Sequence, residues 1–172
     1  AESAAGSYPI EAVRTMDSVA RSVEADPNYR AIIEASRQAK RHSVADAIVT
    51  AAREIAETTD VAAICAFSQS GRTASLIARE RPRVPILLLT PVEEVLRRMC
   101  LTWGTHCVMT PRLTRFKEAV VNATRAARDF GFADETRQVV VVAGVPFNVQ
   151  GSTNIIRIAP CDERLIFASD PE

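Results

Sequence analysis

Apolar positions along this chain alternate between a helical spacing and short unbroken runs. From Ser43 onward, Val44, Ile48, Ala51 and Ile55 fall at i, i+4, i+7 and i+11, one face of a helix, and Ser43 with Asp46 makes a capping pair at its start. Val61 to Phe67 is an apolar run of strand length that ends in Ser68-Gln69-Ser70-Gly71-Arg72-Thr73, which opens a second helix through Leu76 and Ile77. Val84 to Leu89 predicts another buried strand, with Pro85 tolerated only near its start or at an edge. Thr90-Pro91-Val92-Glu93 predicts a helix start with Thr90 as N-cap, Pro91 in the first helical position and Glu93 in the capping box. That helix is expected to run to about Trp103 and stop at Gly104. His106 to Thr110 is a third strand. Thr114 is expected to cap a long helix with Phe116, Val120, Ala123 and Ala127 on its inner face, closing near Gly131. Gln138 to Ala143 and Ile155 to Ile158 complete the strands.

Strands alternating with helices of this length predict an α/β fold: a three-layer sandwich with a five-stranded, mostly parallel sheet and helices on both faces. Residues 144–154 have no helical period and are too few for a helical crossover, so the last strand is expected to run antiparallel. The first forty residues fall outside this scheme. Ile10, Val13, Met16, Ala20 and Val23 predict one amphipathic helix, started by Pro9 and ended before Asp26-Pro27, with no strand ahead of it. Residues 26–42 read as a linker or short helix. The tail 161–172 is polar apart from Leu165-Ile166-Phe167 and is assigned no structure.

Composition narrows the function classes. The 172 residues carry 21 basic and 21 acidic side chains, which argues against nucleic acid as the main partner, because duplex binding rests on a basic face. No apolar run approaches the roughly 18 residues of a membrane span, and no secretory segment opens the chain, so neither a membrane nor a secreted context is expected. The first residue is Ala1 rather than Met, which suggests an unnatural start. Cys65, Cys100, Cys107 and Cys161 form no C-x-x-C pair and read as buried free thiols, as expected in the cytoplasm. With His42 and His106 as the two histidines and no H-E-x-x-H, no metal site is expected.

The chemistry concentrates at Ser68-Gln69-Ser70-Gly71-Arg72-Thr73. A strand, a Ser- and Gly-containing turn and a helix together present backbone N–H groups at a helix N-terminus, with hydroxyls of Ser68, Ser70 and Thr73 beside them and Arg72 as a charged contact. That arrangement suits a phosphate, with Gly71 letting the backbone come close. It is not a Walker A loop, since no Lys follows Gly71. The same residues would equally serve a plain capped turn. A second loop, residues 143–154, leaves strand four at the same sheet edge, where two Gly-bearing loops can close over one ligand or simply join two strands.

Other features read as structural. Arg79, Arg81 and Arg83 bracket a turn as a solvated face, Trp103 ends a helix as a core residue, and Glu93 and Glu94 belong to a first helical turn. Arg112, Arg115 and Lys117 crowd the start of the long helix, where cations oppose the macrodipole unless an anion is near, making Arg115 a candidate second phosphate contact. No nucleophile–His–acid arrangement is legible, so no catalytic residue is assigned.

Three motifs occur in a fixed order. Glu2-Ser3-Ala4-Ala5-Gly6-Ser7-Tyr8-Pro9-Ile10-Glu11-Ala12-Val13 is similar to E-[TS]-A-x-G-x-Y-P-x-E-A-V, Phe67 to Thr73 to a phosphate loop [TS]-x-S-G-[RKT]-[TS], and Gly144 to Asn154 to an effector loop ending in G-[ST]-T-N. Together they resemble the carboxyl-terminal part of the pyruvate kinase family over nearly all of residues 2–158. The resemblance implies that residues 1–25 are the last helix of a (β/α)₈ catalytic barrel missing from this chain, 26–42 a linker or helix, 43–160 the C-terminal α/β domain and 161–172 a tail. It implies a parent enzyme of glycolysis that moves a phosphoryl group from phosphoenolpyruvate to ADP with Mg²⁺ and K⁺, its catalytic lysine, arginine and metal-binding carboxylates lying upstream of Ala1. For this chain it implies no catalysis alone, but allosteric regulation and a share in a tetramer interface. Ser68, Gln69, Ser70, Gly71, Arg72 and Thr73 would hold the phosphate of a sugar-phosphate or nucleotide effector, and Gln150, Gly151 and Ser152 would cover it. Animal enzymes tuned to fructose 1,6-bisphosphate carry a Trp and an Arg before the long helix; here only Arg115 is an approximate match, so a monophosphate such as glucose 6-phosphate, ribose 5-phosphate or AMP fits as well. The Ser68–Thr73 loop also resembles the S-x-S-G-x-T loop of sugar isomerase domains, which bind phosphosugars, although that likeness leaves the Glu2 and Gly151 motifs unexplained.

Overall fold

A computed structural model describes residues 2–35, 43–147, 149 and 151–168, and the chain divides into two units, 1–40 and 41–172. In the first unit, α1 (Glu2–Ala5) precedes α2 (Pro9–Ala25) and α3 (Pro27–Ala35). Pro9 stands in the first turn of α2, where its missing N–H costs nothing, and Asp26 ends the helix in an extended conformation, as a residue before proline must. Ile10, Val13, Met16, Val19 and Val23 of α2 are all more than half exposed.

The second unit runs α4 (Val44–Thr58), β1 (Val61–Phe67), α5 (Arg72–Arg79), β2 (Ile86–Thr90), α6 (Glu93–Met99), β3 (Thr105–Met109), α7 (Phe116–Asp129), β4 (Gln138–Gly144), β5 (Thr153–Pro160) and α8 (Glu163–Ala168). The five strands lie in the order β3-β2-β1-β4-β5, the first four parallel and β5 antiparallel to β4, as expected. Alternate residues of each strand face opposite layers. Ala63, Cys65, Leu87, Leu89, Val139 and Val141 pack with α7 and with Ile166 of α8, while Ile64, Ala66, Ile86, Leu88, Val140 and Val142 pack with α4, α5 and α6. Burial on both faces is why β1, β2 and β4 read as unbroken apolar runs.

Several local expectations are corrected. Ser43 caps α4 through the Asp46 N–H, but the buried face is Ala45, Val49, Ala52 and Ala56, one position on from Val44, Ile48, Ala51 and Ile55. Alanines let the helix lie close on the sheet, so the bulkier residues sit at the rim and Val44 is 65% exposed. Thr90 belongs to β2, and its Oγ1 accepts from the Val92 N–H; α6 begins only at Glu93 and ends at Met99. The chain then turns through Thr102 N–H to Met99 carbonyl and Thr105 N–H to Thr102 carbonyl, which leaves Trp103 in a turn outside the core. There it carries the Arg81 guanidinium 4.4 Å above its ring, a cation–π contact. Arg79 and Arg83 are paired with Asp46 and Glu57, both at 2.7 Å. Arg115, not Thr114, is the N-cap residue of α7, and Phe116 is half-buried beside the buried Ala119, Val120, Ala123 and Ala127. All four cysteines are free, but Cys100 is exposed and Cys107 half-buried; only Cys65 and Cys161 are enclosed.

The tail holds structure that one apolar triplet could not reveal. In α8, Ile166 is fully buried against the α7 layer, and Glu163 accepts from Arg125 Nε and Arg128 Nη2, both at 2.7 Å. The Arg125 hydrogen bond, then the charges of both arginines, hold the Glu163 carboxyl below its ordinary range. A depressed carboxylate adds stability above its unfolded pKa and loses it as pH falls through the folded value. Glu163→Gln is therefore expected to lower Tm near neutral pH, with the difference from wild type shrinking progressively as pH falls below the ordinary glutamate value of about 4.3, measured by circular dichroism melts across pH.

Candidate functional site

The carboxyl ends of β1 to β4 meet at one edge of the sheet, where open α/β sheets gather ligands. The loops leaving them there line a cleft that opens to solvent. Phe67 and Leu89 form its floor. Ser68, Gln69, Ser70, Arg72 and Thr73 make one wall, Thr110, Pro111, Arg112 and Leu113 a second, and Gly144, Phe147, Val149, Gly151 and Ser152 a third.

The first wall is a helix entry. β1 continues one bond past its end, Ser68 N–H to Leu89 carbonyl, and Gly71 then turns the chain into α5 with φ +78°. Gly71 does not face the cleft: a methyl there would lie 2.7 Å from Met99 Sδ and 2.8 Å from its Cγ, so α6 packs against it from behind. Arg98 of α6 donates to the Ser70 carbonyl at 2.7 Å, clamping the turn from the same side. The first turn of a helix leaves N–H groups without intrahelical acceptors, and that of α5 borders the cleft. The Arg72 N–H has only a long contact, 3.4 Å, to Ser70 Oγ.

The third wall is held to the first. Thr73 Oγ1 and Thr153 Oγ1 lie 2.9 Å apart in a buried contact that joins α5 to the start of β5. Asn154 closes the β4–β5 loop by accepting from the Val145 N–H at 2.9 Å and donating to the Val145 carbonyl at 2.6 Å. Ser152 Oγ donates to the Val149 carbonyl at 2.7 Å.

Chemically the cleft is a cationic, hydroxyl-rich pocket with an apolar side. Its charged lining residues are Arg72 and Arg112, and no carboxylate, histidine, cysteine or lysine lines it among the described residues. Thr110 is 6% exposed and its Oγ1 has no hydrogen-bond partner. A buried hydroxyl left unmatched is costly.

Of the residues singled out from sequence, Ser68, Gln69, Ser70, Arg72, Thr73, Gly151 and Ser152 come together on this lining, with Gly71 directly behind. Gln150 lies outside the described residues. Arg115 caps α7 and is not among the lining; Arg112, earlier on the same loop, is. Thr110 was hidden because it reads as the last residue of a strand. Its signal was its position, a hydroxyl leaving β3 at the edge where Ser68 leaves β1. Among the described residues no group of three His, Cys, Asp or Glu could hold a metal ion, and no helix is long and apolar enough to cross a membrane.

A profile described as "Pyruvate kinase, alpha/beta domain" matches residues 46–159. Pyruvate kinases of Agrobacterium vitis and Methylorubrum extorquens are 40% and 39% identical over 92% of this chain and 33% of their own lengths. A solved structure, "Cryptosporidium parvum pyruvate kinase in complex with ADP", superposes with a TM-score of 0.69 at 26% identity over 77% of this chain and 27% of that one. The chain thus spans about a third of the length of the curated relatives it matches. None of these matches supports the sugar isomerase alternative.

Proposed function

Because this chain belongs to the pyruvate kinase family through its C-terminal α/β domain, we propose that its cleft is the regulatory site for a phosphorylated effector, a sugar monophosphate or nucleotide. The observation that carries this reading is the composition of the cleft: the N-terminal turn of α5, Arg72, Arg112 and several hydroxyls, with no group to act as general acid or base among the described residues. Such a site neutralises a bound phosphate and transfers nothing. The phosphate sits at the α5 turn, between Ser70 and Arg72, and Ser152 closes over it. Arg112 faces the remainder of the ligand, against the apolar side formed by Leu113 and Phe147.

The full-length protein, on this reading, is a cytoplasmic, tetrameric enzyme of glycolysis that transfers a phosphoryl group from phosphoenolpyruvate to ADP. Mg²⁺ and K⁺ would serve that chemistry in the full-length protein. No residue of this chain is assigned a catalytic role.

A ligand that binds only the native state stabilises it by about 2.7 kcal/mol at a hundredfold excess over Kd. Thermal melts of the 172-residue chain with glucose 6-phosphate, ribose 5-phosphate and AMP are therefore expected to rise with at least one of them. Arg72→Ala should weaken that ligand about tenfold, the low end for a charge-assisted contact because Arg72 is exposed. The reading is wrong if none of the three raises Tm, or if Arg72→Ala and Ser70→Ala leave the rise unchanged.

A further inference from the structure

The effector-loop motif assigns the covering role to Gln150, Gly151 and Ser152 and nothing to the next residue, Thr153. In the fold Thr153 lines the cleft together with Thr73, although the two are only 7% and 5% exposed. Their Oγ1 atoms lie 2.9 Å apart, a hydrogen bond in which either hydroxyl can donate. Both stand on braced backbone. Thr153 opens β5 and pairs with Gly144 of β4, and Asn154 beside it holds both the N–H and the carbonyl of Val145. Thr73 is the second residue of α5. A hydroxyl further into a helix returns to the carbonyl four residues back, as Ser75 Oγ does to Gly71 at 3.2 Å. Four residues before Thr73 stands Gln69, ahead of the helix, and Thr73 bonds across to β5 instead.

A hydroxyl has one proton to donate and two lone pairs to accept with. When two hydroxyls share one hydrogen bond, the donor's proton is committed to that bond and the acceptor's proton is left for a third group. A phosphate ester that has lost both protons, as it has above about pH 6, only accepts. The direction of the Thr73–Thr153 bond therefore decides which of the two hydroxyls can serve the anion.

We propose that Thr153 is a positioning residue for the phosphate: its hydroxyl donates to Thr73 Oγ1, which turns the Thr73 proton toward a phosphate oxygen at the α5 turn. Thr73 is the nearer of the two because it follows Arg72 in the first turn of α5, beside the backbone N–H groups that face the same anion. Hydrogen bonds in series polarise one another, so the bond from Thr153 also makes Thr73 a stronger donor. This assignment rests on the effector reading above, whereas the contact between the hydroxyls does not.

Calorimetric titration of the full 172-residue chain with glucose 6-phosphate, ribose 5-phosphate and AMP tests it, with the variants compared on the tightest binder to wild type. Thr153→Val keeps the shape of the side chain and removes the hydroxyl, and is expected to weaken binding about fivefold, the equivalent of one neutral hydrogen bond. Thr153→Ser restores the hydroxyl and should bind within about twofold of wild type. Thr73→Val loses the contact to the phosphate itself and should weaken binding about tenfold, and adding Thr153→Val to it should cost nothing further, because Thr153 acts only through Thr73. A purely structural role for Thr153 would lower the ligand-free Tm of Thr153→Val and leave the affinity of the folded variant at the wild-type value. Equal affinities of Thr153→Val and wild type, Thr153→Ser as weak as Thr153→Val, or a double variant weaker than Thr73→Val, which would put Thr153 itself on the phosphate, each overturn the assignment and leave the effector reading standing. Failure of all three ligands to bind wild type overturns the effector reading, and the assignment falls with it.

Discussion

Gly144→Ala is expected to be the most damaging single substitution in the site, lowering stability by about 3 kcal/mol, or roughly 10 °C in Tm. Gly144 ends β4, and the returning chain crosses it at Ser152. A methyl group there would lie 2.8 Å from the Ser152 carbonyl carbon and 2.9 Å from its oxygen, with Ser152 Oγ closer still. A side chain could rotate away, but the backbone at Ser152 is fixed by the neighbouring Thr153–Thr73 contact and by the Asn154 clamp on Val145. The β4–β5 loop must shift as a whole, taking the third wall of the cleft with it. Thermal melts read the stability, and the ligand-induced rise in Tm reads the wall; a variant as stable as wild type would show that the two chain segments are not in close contact.

Gly71→Ala is the second. Its φ of +78° costs an L-residue about 1 kcal/mol, and displacing Met99 from a position 2.7 Å away adds about as much again, for a total of about 2 kcal/mol. Gly151 supplies the control: its φ is +80°, but nothing lies within 4 Å of the added methyl, so Gly151→Ala should cost the backbone strain alone, about 1 kcal/mol. Urea melts of the two variants separate the contributions. Equal losses would mean that Met99 yields freely and that α6 does not brace the α5 turn. A larger loss at Gly71 should come with weaker ligand binding, because the same turn orients the N–H groups at the cleft.

The layers were legible because their causes are local. A strand buried on both faces must be apolar at every position, which marked Val61 to Phe67 and Val139 to Val142, and the brevity of residues 144–154 required β5 to return antiparallel. Less legible was anything decided by distance across the fold. The buried stripe of α4 follows Ala45, Val49, Ala52 and Ala56 because close approach to the sheet favours small residues, a preference that hydrophobicity alone ranks below Val44 and Ile48. Thr90 has every local mark of an N-cap, yet its pairing with Met109 keeps it in β2 and delays α6 to Glu93. A single buried Ile166 and two arginines on α7 hold α8 in place, and no six-residue stretch displays a period that would announce it. The cleft divides the same way: the Ser68–Thr73 wall is contiguous and was readable, whereas Thr110 and Arg112 join it only because β3 ends at the same edge.

Binding of a phosphate group at the N-terminal turn of α5 is tested most directly by amide ¹H–¹⁵N shifts, recorded during titration with the phosphate ester that raises Tm. Saturable shifts are expected, centred on Gly71, Arg72 and Thr73, with a second group at Gly151 and Ser152, and their loss of saturation over the same range in Arg72→Ala. Shifts centred on another face of the domain, with the Gly71–Thr73 amides unmoved, would contradict a phosphate site at this turn.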